Sequence, residues 1–537
     1  MVKMTQSPEA AKPATSQSAR KAELVLALAM TAGIVLLHLF FLNHVGGLFR
    51  DEVNSLNLAR GNWADMTHDS FPILFPVLLR GWSMLGLAEA DTTIRLFGAL
   101  MGLSLTLAFW LTAKCLRQAP PLWSLLLAAI NAWMIYYGAW LRAYGLGSAV
   151  IVLCAGAAWL YVERPGWKRW LIFALAATLS VQTLYQNTVL VAAVCAGGCA
   201  VGLRRQDFRL VGGVFLGGLA AAISLLPYYA IISGMPQAAS PLRLDFDRVI
   251  AFNDLNTVLA FPLRQYFWVW CGLAGIVCVR GLLGLLGRER DDRSLFATVM
   301  LVCAVLVFMA FLWMANFPVQ PWYFLPMVAI VAVSLEASLP RLNGKFRSLL
   351  WGGVLATACM SAIFAVKVLD YRFTNVDQIA KEASAAAGKD DLVIVGPWQF
   401  GITFGHYFTN PCPWTTIPPI ADHSGERYDL LLAQMKNTNA MLPVLAMVEA
   451  TLRAGHVVWV SGAIPEVGGT NLPTLPPPPP LPHTGWNETP YRFSWHYQLG
   501  WLIHHHSINI DRVDAGTNEN VSDIEQLPLY KVTGWKD

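Results

Sequence analysis

Charge is scarce in this chain. Lys, Arg, Asp and Glu make up 13% of its 537 residues, against 55% hydrophobic residues. Water-soluble domains carry about a quarter charged residues, so this scarcity excludes an ordinary soluble globular protein. Several site patterns are missing as well. The nine cysteines include no CxxC pair and no Cys/His spacing of zinc type. Only Cys412 lies in the C-terminal region, so no disulfide forms within it. No GxGxxG follows a strand pattern, which leaves a nucleotide site without support. No basic stripe with interleaved aromatics occurs, which speaks against nucleic-acid binding. The polar tail, residues 1–22, is too long and too weakly shaped for a signal peptide, so 23–43 reads as a retained anchor.

What the chain has is apolar runs. Stretches able to cross about 30 Å of hydrocarbon, roughly 20 residues each, fall at 23–43, 93–113, 121–139, 143–162, 170–185, 187–203, 209–232, 265–286, 294–315, 319–338 and 347–367. The 21 tryptophans suit a protein with many membrane–water interfaces. The net charge of +4 conceals a split: residues 1–369 hold 28 Lys and Arg against 17 Asp and Glu, and residues 370–537 hold 10 against 17. With the N-terminus inside, 19 of those 28 basic residues fall in the tail and alternate loops, as the positive-inside rule requires. Eleven spans then place the loop 44–92 and the region 370–537 on the outer side. The expected fold is a polytopic α-helical membrane domain, 23–369, followed by a soluble extracytoplasmic α/β domain, 370–537.

In the loop, Val53, Leu56 and Ala59 recur at helical spacing, which implies a helix lying on the membrane surface. Phe71–Leu85 is apolar but broken by Pro72 and Pro76, which implies a second interfacial helix. In the C-terminal region "DDLVIVGP" and "GHVVWVSGA" read as buried parallel strands with helices around 426–437 and 440–454 between them. The titratable residues of that region form no visible constellation. His504-His505-His506 cannot all face one ion and reads as a surface run. Charges concentrate instead in the loop: Arg50, Asp51, Glu52, Arg60, Asp65, His68, Asp69, Glu89 and Asp91. Taken alone, Asp51-Glu52 also fits a solvated helix start, where acids are favoured.

The order of motifs resembles a known family. "FRDEVNSLNLARG", "HDSFPILFPVLLRGWSMLG" and "TTIRLFGALMGL" follow the first span in turn. This pattern is similar to the C-type glycosyltransferases related to protein O-mannosyltransferases and to the bacterial aminoarabinose and galacturonic acid transferases. Asp51-Glu52 and Arg95-Leu96 match that family well, and His68 to Phe75 matches loosely. "WLRAYGLG" carries Arg142 and Tyr144 in an Arg-x-Tyr pattern. In "QPWYFLP" only Tyr323 matches, because Trp322 stands where an arginine is usual.

The resemblance implies transfer of a sugar from a polyprenyl-phosphate donor to a lipid, glycan or protein acceptor, with inversion, on the outer side of a bacterial inner membrane. Such a reaction needs a base on one face of the sugar and cations for the phosphate on the other. Asp51 is the expected base, with Glu52 orienting it or meeting the acceptor. Arg142, Tyr144, Tyr323 and Arg95 are the expected phosphate side. Arg142 also fits an interfacial snorkelling arginine, and Arg95 fits a structural pair with Asp91 or Glu89. His68 and Asp91 suit a substrate contact or a divalent metal cation, or else plain loop residues. A transporter or flippase of lipid-linked sugars is the other reading, but it calls for internal repeats and polar spans. No repeat is visible. A third reading places the function in the C-terminal domain of a structural or sensory protein.

Overall fold

The computed structural model describes residues 17–66, 71–231, 246–285, 291–315, 319–339, 347–479, 487–515 and 520–537. Among these, nine helices are long and apolar enough to cross a membrane: Lys21–His44, Asp91–Arg117, Tyr144–Glu163, Asn187–Arg204, Phe208–Ile231, Tyr266–Gly284, Asp292–Ala315, Pro321–Ser338 and Trp351–Leu369. Two further passes are shorter or interrupted. Trp167–Val181 has 15 residues. The run at 121–139 breaks into Leu122–Ser124, a π-helical turn Leu125–Ala129, and Ala132–Gly138. Asn131 makes the break: its side-chain oxygen accepts the Trp133 N–H at 3.0 Å, and its amide donates to the Val258 carbonyl at 2.7 Å. An asparagine that caps a new helix costs less than one left unbonded in an apolar run. Among the described residues these two segments bring the apolar helical passes to eleven, in line with the apolar runs of the sequence. It is a multi-pass membrane protein.

Two helices form the centre of the bundle. Pro321–Ser338 and Tyr144–Glu163 are 83% and 78% buried within the protein, against 22% for Tyr266–Gly284. Close approach is needed there. At Gly145 any Cβ would strike the Gly138 carbonyl, and small residues of this kind let backbones meet in a membrane bundle. At one end, Glu336 is buried and pairs with Arg117 at 2.5 Å. Its other oxygen accepts the N–H groups of Trp123 and Ser124 at 2.8 and 3.0 Å. One carboxylate thereby neutralises a buried cation and caps a helix start. Arg204 and Arg205 both pair with Asp292 at the same end. The first loop and the C-terminal domain occupy the opposite end.

In the loop the helix Arg50–Arg60 lies where the spacing places it, and a second helix, Leu74–Met84, follows. After Leu369 the chain enters β1 (Arg372–Thr374). Then come β2 (Leu392–Val395), β3 (Trp414–Thr416), β4 (Val458–Ser461), β5 (Ser507–Val513), β6 (Val521–Glu525) and β7 (Leu529–Trp535). The main sheet runs β3-β2-β4-β7-β5, and β1 pairs with β6. β2 pairs parallel with β3 and β4, while β7 runs antiparallel to β4 and β5. The two strands legible in sequence are β2 and β4, each buried along its whole length. The three histidines end the helix Thr489–His506. His505 and His506 bond the carbonyls of Trp501 and Lys536 at 2.9 and 3.1 Å, an occupation for imidazoles at a helix C-terminus that needs no ion.

The charge asymmetry sets a topological expectation. Alkaline phosphatase fused after Asp370 should be active in a bacterial host, and fusions after Gln206 inactive. The reverse pattern would contradict the orientation.

Candidate active site

The loop begins with Gly46-Gly47. Gly46 has φ +75°, a left-handed conformation that favours glycine, and a Cβ there would lie 2.5 Å from the Arg372 guanidinium. The two glycine carbonyls accept from Arg95, at 3.3 Å to Nε and 2.5 Å to Nη2. The remaining Arg95 nitrogen, Nη1, pairs with Glu52. Glu52 is fully buried, and its other contacts are also donors: Phe49 N–H at 3.2 Å and Leu141 N–H at 3.0 Å. This carboxylate therefore ties together the loop helix, the second span and the turn that carries Arg142. Arg95 pairs with Glu52, not with the expected Asp91 or Glu89. Neither Glu52 nor Arg95 lies open to a substrate.

Asp51, one residue earlier, is turned about 100° around the helix, away from that buried pair. Its side chain is 18% exposed, with Oδ1 3.1 Å from Arg50 Nε and Oδ2 3.7 Å from Arg142 Nη2. Arg142 is fastened from several sides. Its Nη1 donates to the Asp51 carbonyl at 3.3 Å and to Ser55 Oγ at 3.2 Å, and its guanidinium lies 4.5 Å over the Phe71 ring. Burial works against ionisation of Asp51, but Arg142 and then Arg50 outweigh it, holding the carboxyl below its usual range.

Tyr144 and Tyr323 stand near Arg142 and Asp51, their rings 6.1 Å apart, with Phe71 edge-on to Tyr144 at 5.5 Å. Trp322, in place of the usual arginine, packs against Tyr137 and Trp140 at 5.4 and 5.0 Å. Asp91 accepts from the Tyr407 hydroxyl at 2.9 Å. His68 lies outside the described residues. Among the described residues, no three His, Cys, Asp or Glu side chains converge as a metal site.

The C-terminal domain reaches into this site, which the sequence did not foretell. Glu525 accepts the Arg50 N–H at 3.1 Å and so caps the loop helix from the other end of the chain. Burial pushes the Glu525 carboxyl up to about 7 against the pull of Arg50. Glu426 stands 3.9 Å from Arg50 Nε. Tyr407 accepts the Leu48 N–H at 2.7 Å, and Asn57 donates to the Ser424 carbonyl at 2.9 Å. Arg372 and Asp377, paired at 2.9 Å, back the two glycines. The expectation that titratable groups of this domain join no constellation is therefore corrected. Their partners in the loop lie more than 300 residues away, and no local pattern marks such contacts.

No protein-family model and no curated protein matches the sequence. Solved structures do match its shape. One is ArnT from Cupriavidus metallidurans bound to undecaprenyl phosphate: TM-score 0.51, 14% identity, covering 82% of this chain and 93% of that one. Another is the archaeal oligosaccharyltransferase AglB from Archaeoglobus fulgidus, in complex with an inhibitory peptide and a dolichol-phosphate. There the TM-score is 0.50 and the identity 10%, over 83% and 70% of the two chains. The chain has the C-type glycosyltransferase fold. In this chain the loop after the first span carries Asp51 and Glu52 in different settings, one partly exposed beside Arg142 and one locked inside.

That division is measurable. Removing one partner of a buried ion pair costs about 3–5 kcal/mol, so Glu52→Gln should lower the unfolding temperature of the purified protein markedly. Asp51→Asn should leave it near wild type. Equal stability of both variants would contradict the assigned burial.

Proposed function

We propose that this chain is a membrane glycosyltransferase that takes its sugar from a polyprenyl-phosphate donor on the outer face of a bacterial inner membrane. The observation that carries the reading is the pairing of an ionised, half-buried Asp51 with Arg142 beside Tyr144 and Tyr323, at the membrane end of the loop. Two proteins of the same fold have been seen with undecaprenyl phosphate and dolichol-phosphate.

The chemistry runs as a single displacement. The acceptor oxygen attacks the anomeric carbon, and the bond from that carbon to the phosphate oxygen breaks with its electron pair leaving on the phosphate. Asp51 receives the acceptor's proton. Arg142 meets the phosphate, because a guanidinium matches phosphate oxygens in bidentate fashion. The hydroxyls of Tyr144 and Tyr323 complete that side. Glu52 and Arg95 act as positioning residues through the geometry they impose on Asp51 and Arg142. Asp91 is engaged by Tyr407, which favours a role in holding the loop against the C-terminal domain over a metal site. Trp322 leaves the phosphate one cation poorer than in relatives of the usual pattern, so dependence on Arg142 should be steep. The transporter reading gains no support: the charges of the site gather at the loop helix, where an extracytoplasmic acceptor arrives. A lipid, glycan or protein acceptor is compatible with this geometry.

Release of undecaprenyl phosphate from undecaprenyl-phosphate hexoses and pentoses tests the reading. Asp51→Asn should slow turnover by about 10²–10⁴ while undecaprenyl phosphate still binds, whereas Arg142→Lys should weaken that binding with stability kept. Near wild-type turnover in Asp51→Asn would refute the assignment of the base.

A further inference from the structure

Asp51 has a weakness as the final holder of a proton. The same two guanidinium groups that keep it ionised make it reluctant to stay protonated. A second carboxylate stands beside it. Arg50 Nε lies 3.1 Å from Asp51 Oδ1 and 3.9 Å from Glu426 Oε1, so the two acids flank one nitrogen. One or two waters, or an acceptor hydroxyl, suffice to join them.

Glu426 is held there by its own segment. Arg427, the next residue, is pinned by Asp422 and by Asp429, the latter at 2.6 Å. Two residues before Glu426, the Ser424 carbonyl accepts from Asn57 of the loop helix. The Tyr428 side chain bonds the Glu426 carboxylate. Glu426 remains 26% exposed, so a proton delivered to it has a route to water.

Resting on the glycosyltransferase reading, we propose that Glu426, supplied by the C-terminal domain, is the second carboxylate of the transfer site and takes on the proton that the acceptor gives to Asp51. The proton moves from the acceptor oxygen to Asp51 Oδ as the new glycosidic bond forms, then to a Glu426 oxygen, and finally to solvent. No electrons are gained or lost, and the polyprenyl phosphate departs with the electron pair of the broken bond.

The electrostatics agree in direction. Burial, followed by the charge of Asp51, raises Glu426 above the usual carboxylate range, while Arg50 and Arg142 pull the other way. Two acids whose surroundings push their proton affinities apart are the usual mark of divided acid–base roles. The groups that face Glu426 are Asp51 and Arg50 on the loop helix, Arg142 beside the helix Tyr144–Glu163, Tyr323 before Leu325, and its neighbour Tyr428. Glu525 and Glu488 face Arg50 from the C-terminal domain. Glu426 must be ionised to receive the proton, so turnover should fall as pH drops through its raised value. The acid limb of the pH profile then lies above the range of an ordinary carboxylate.

The experiment is the pH profile of undecaprenyl phosphate release by the full chain, in wild type, Glu426→Gln and Glu426→Asp. Undecaprenyl phosphate binding and thermal unfolding are followed alongside. Glu426→Gln should lower kcat about 10²-fold, leave undecaprenyl phosphate binding unchanged and lose the acid limb. Glu426→Asp should recover part of the rate and keep the limb. Wild-type kcat with an unaltered limb in Glu426→Gln would overturn the proposal. So would a lowered unfolding temperature in both variants with no recovery in Glu426→Asp, which marks a structural residue. A wild-type protein that neither binds undecaprenyl phosphate nor releases it from any donor defeats the glycosyltransferase reading itself, a separate result.

Discussion

The buried pair of Glu52 and Arg95 is the constraint on which the site depends. A carboxylate with no exposure is costly unless its lone pairs are filled. Here one guanidinium and two backbone N–H groups fill them, from Phe49 and Leu141. Each donor belongs to a different segment, so satisfying the charge fixes three pieces of chain at once. Arg95 extends the same logic to the Gly46 and Gly47 carbonyls. The loop start becomes rigid because nearly every polar group in it has one available partner.

From that anchor the rest follows by helix geometry. Locking Glu52 inward turns Asp51 away from the buried pair, and bonding Leu141 places Arg142 beside it. Glu525 closes the same helix from the far end of the chain, and Tyr407 holds Leu48. The membrane bundle and the C-terminal domain thus share one charged centre, with Arg50 between Asp51, Glu426 and Glu525. A region read from sequence as a soluble domain following the membrane part is bonded directly to the loop helix and its start.

The legible parts of this structure are those with short-range causes. Apolar length marks the spans, and helical spacing of Val53, Leu56 and Ala59 marks the loop helix. β2 and β4 are fully buried runs, while β5 exposes most of its residues and β1 and β3 have three residues each, too little for a pattern. The break at Asn131 depends on a partner in Val258 that only the fold supplies. Asp51, Arg142, Tyr144 and Tyr323 could be named from motif order, and they lie close together. The partner of Arg95 could not be named, because Asp91 and Glu89 are nearer in sequence than Glu52. Glu426 and Glu525 carry no local signal at all.

A single displacement requires that the acceptor oxygen attack the anomeric carbon directly, with Asp51 taking its proton, and that no side chain bond to the sugar. The product's anomeric configuration tests this most directly. With a donor of defined anomer and a simple alcohol as acceptor, proton coupling at the anomeric carbon distinguishes the two outcomes. The account predicts an inverted product. Retention of configuration would contradict it, since that outcome needs a covalent glycosyl intermediate or an equivalent second displacement.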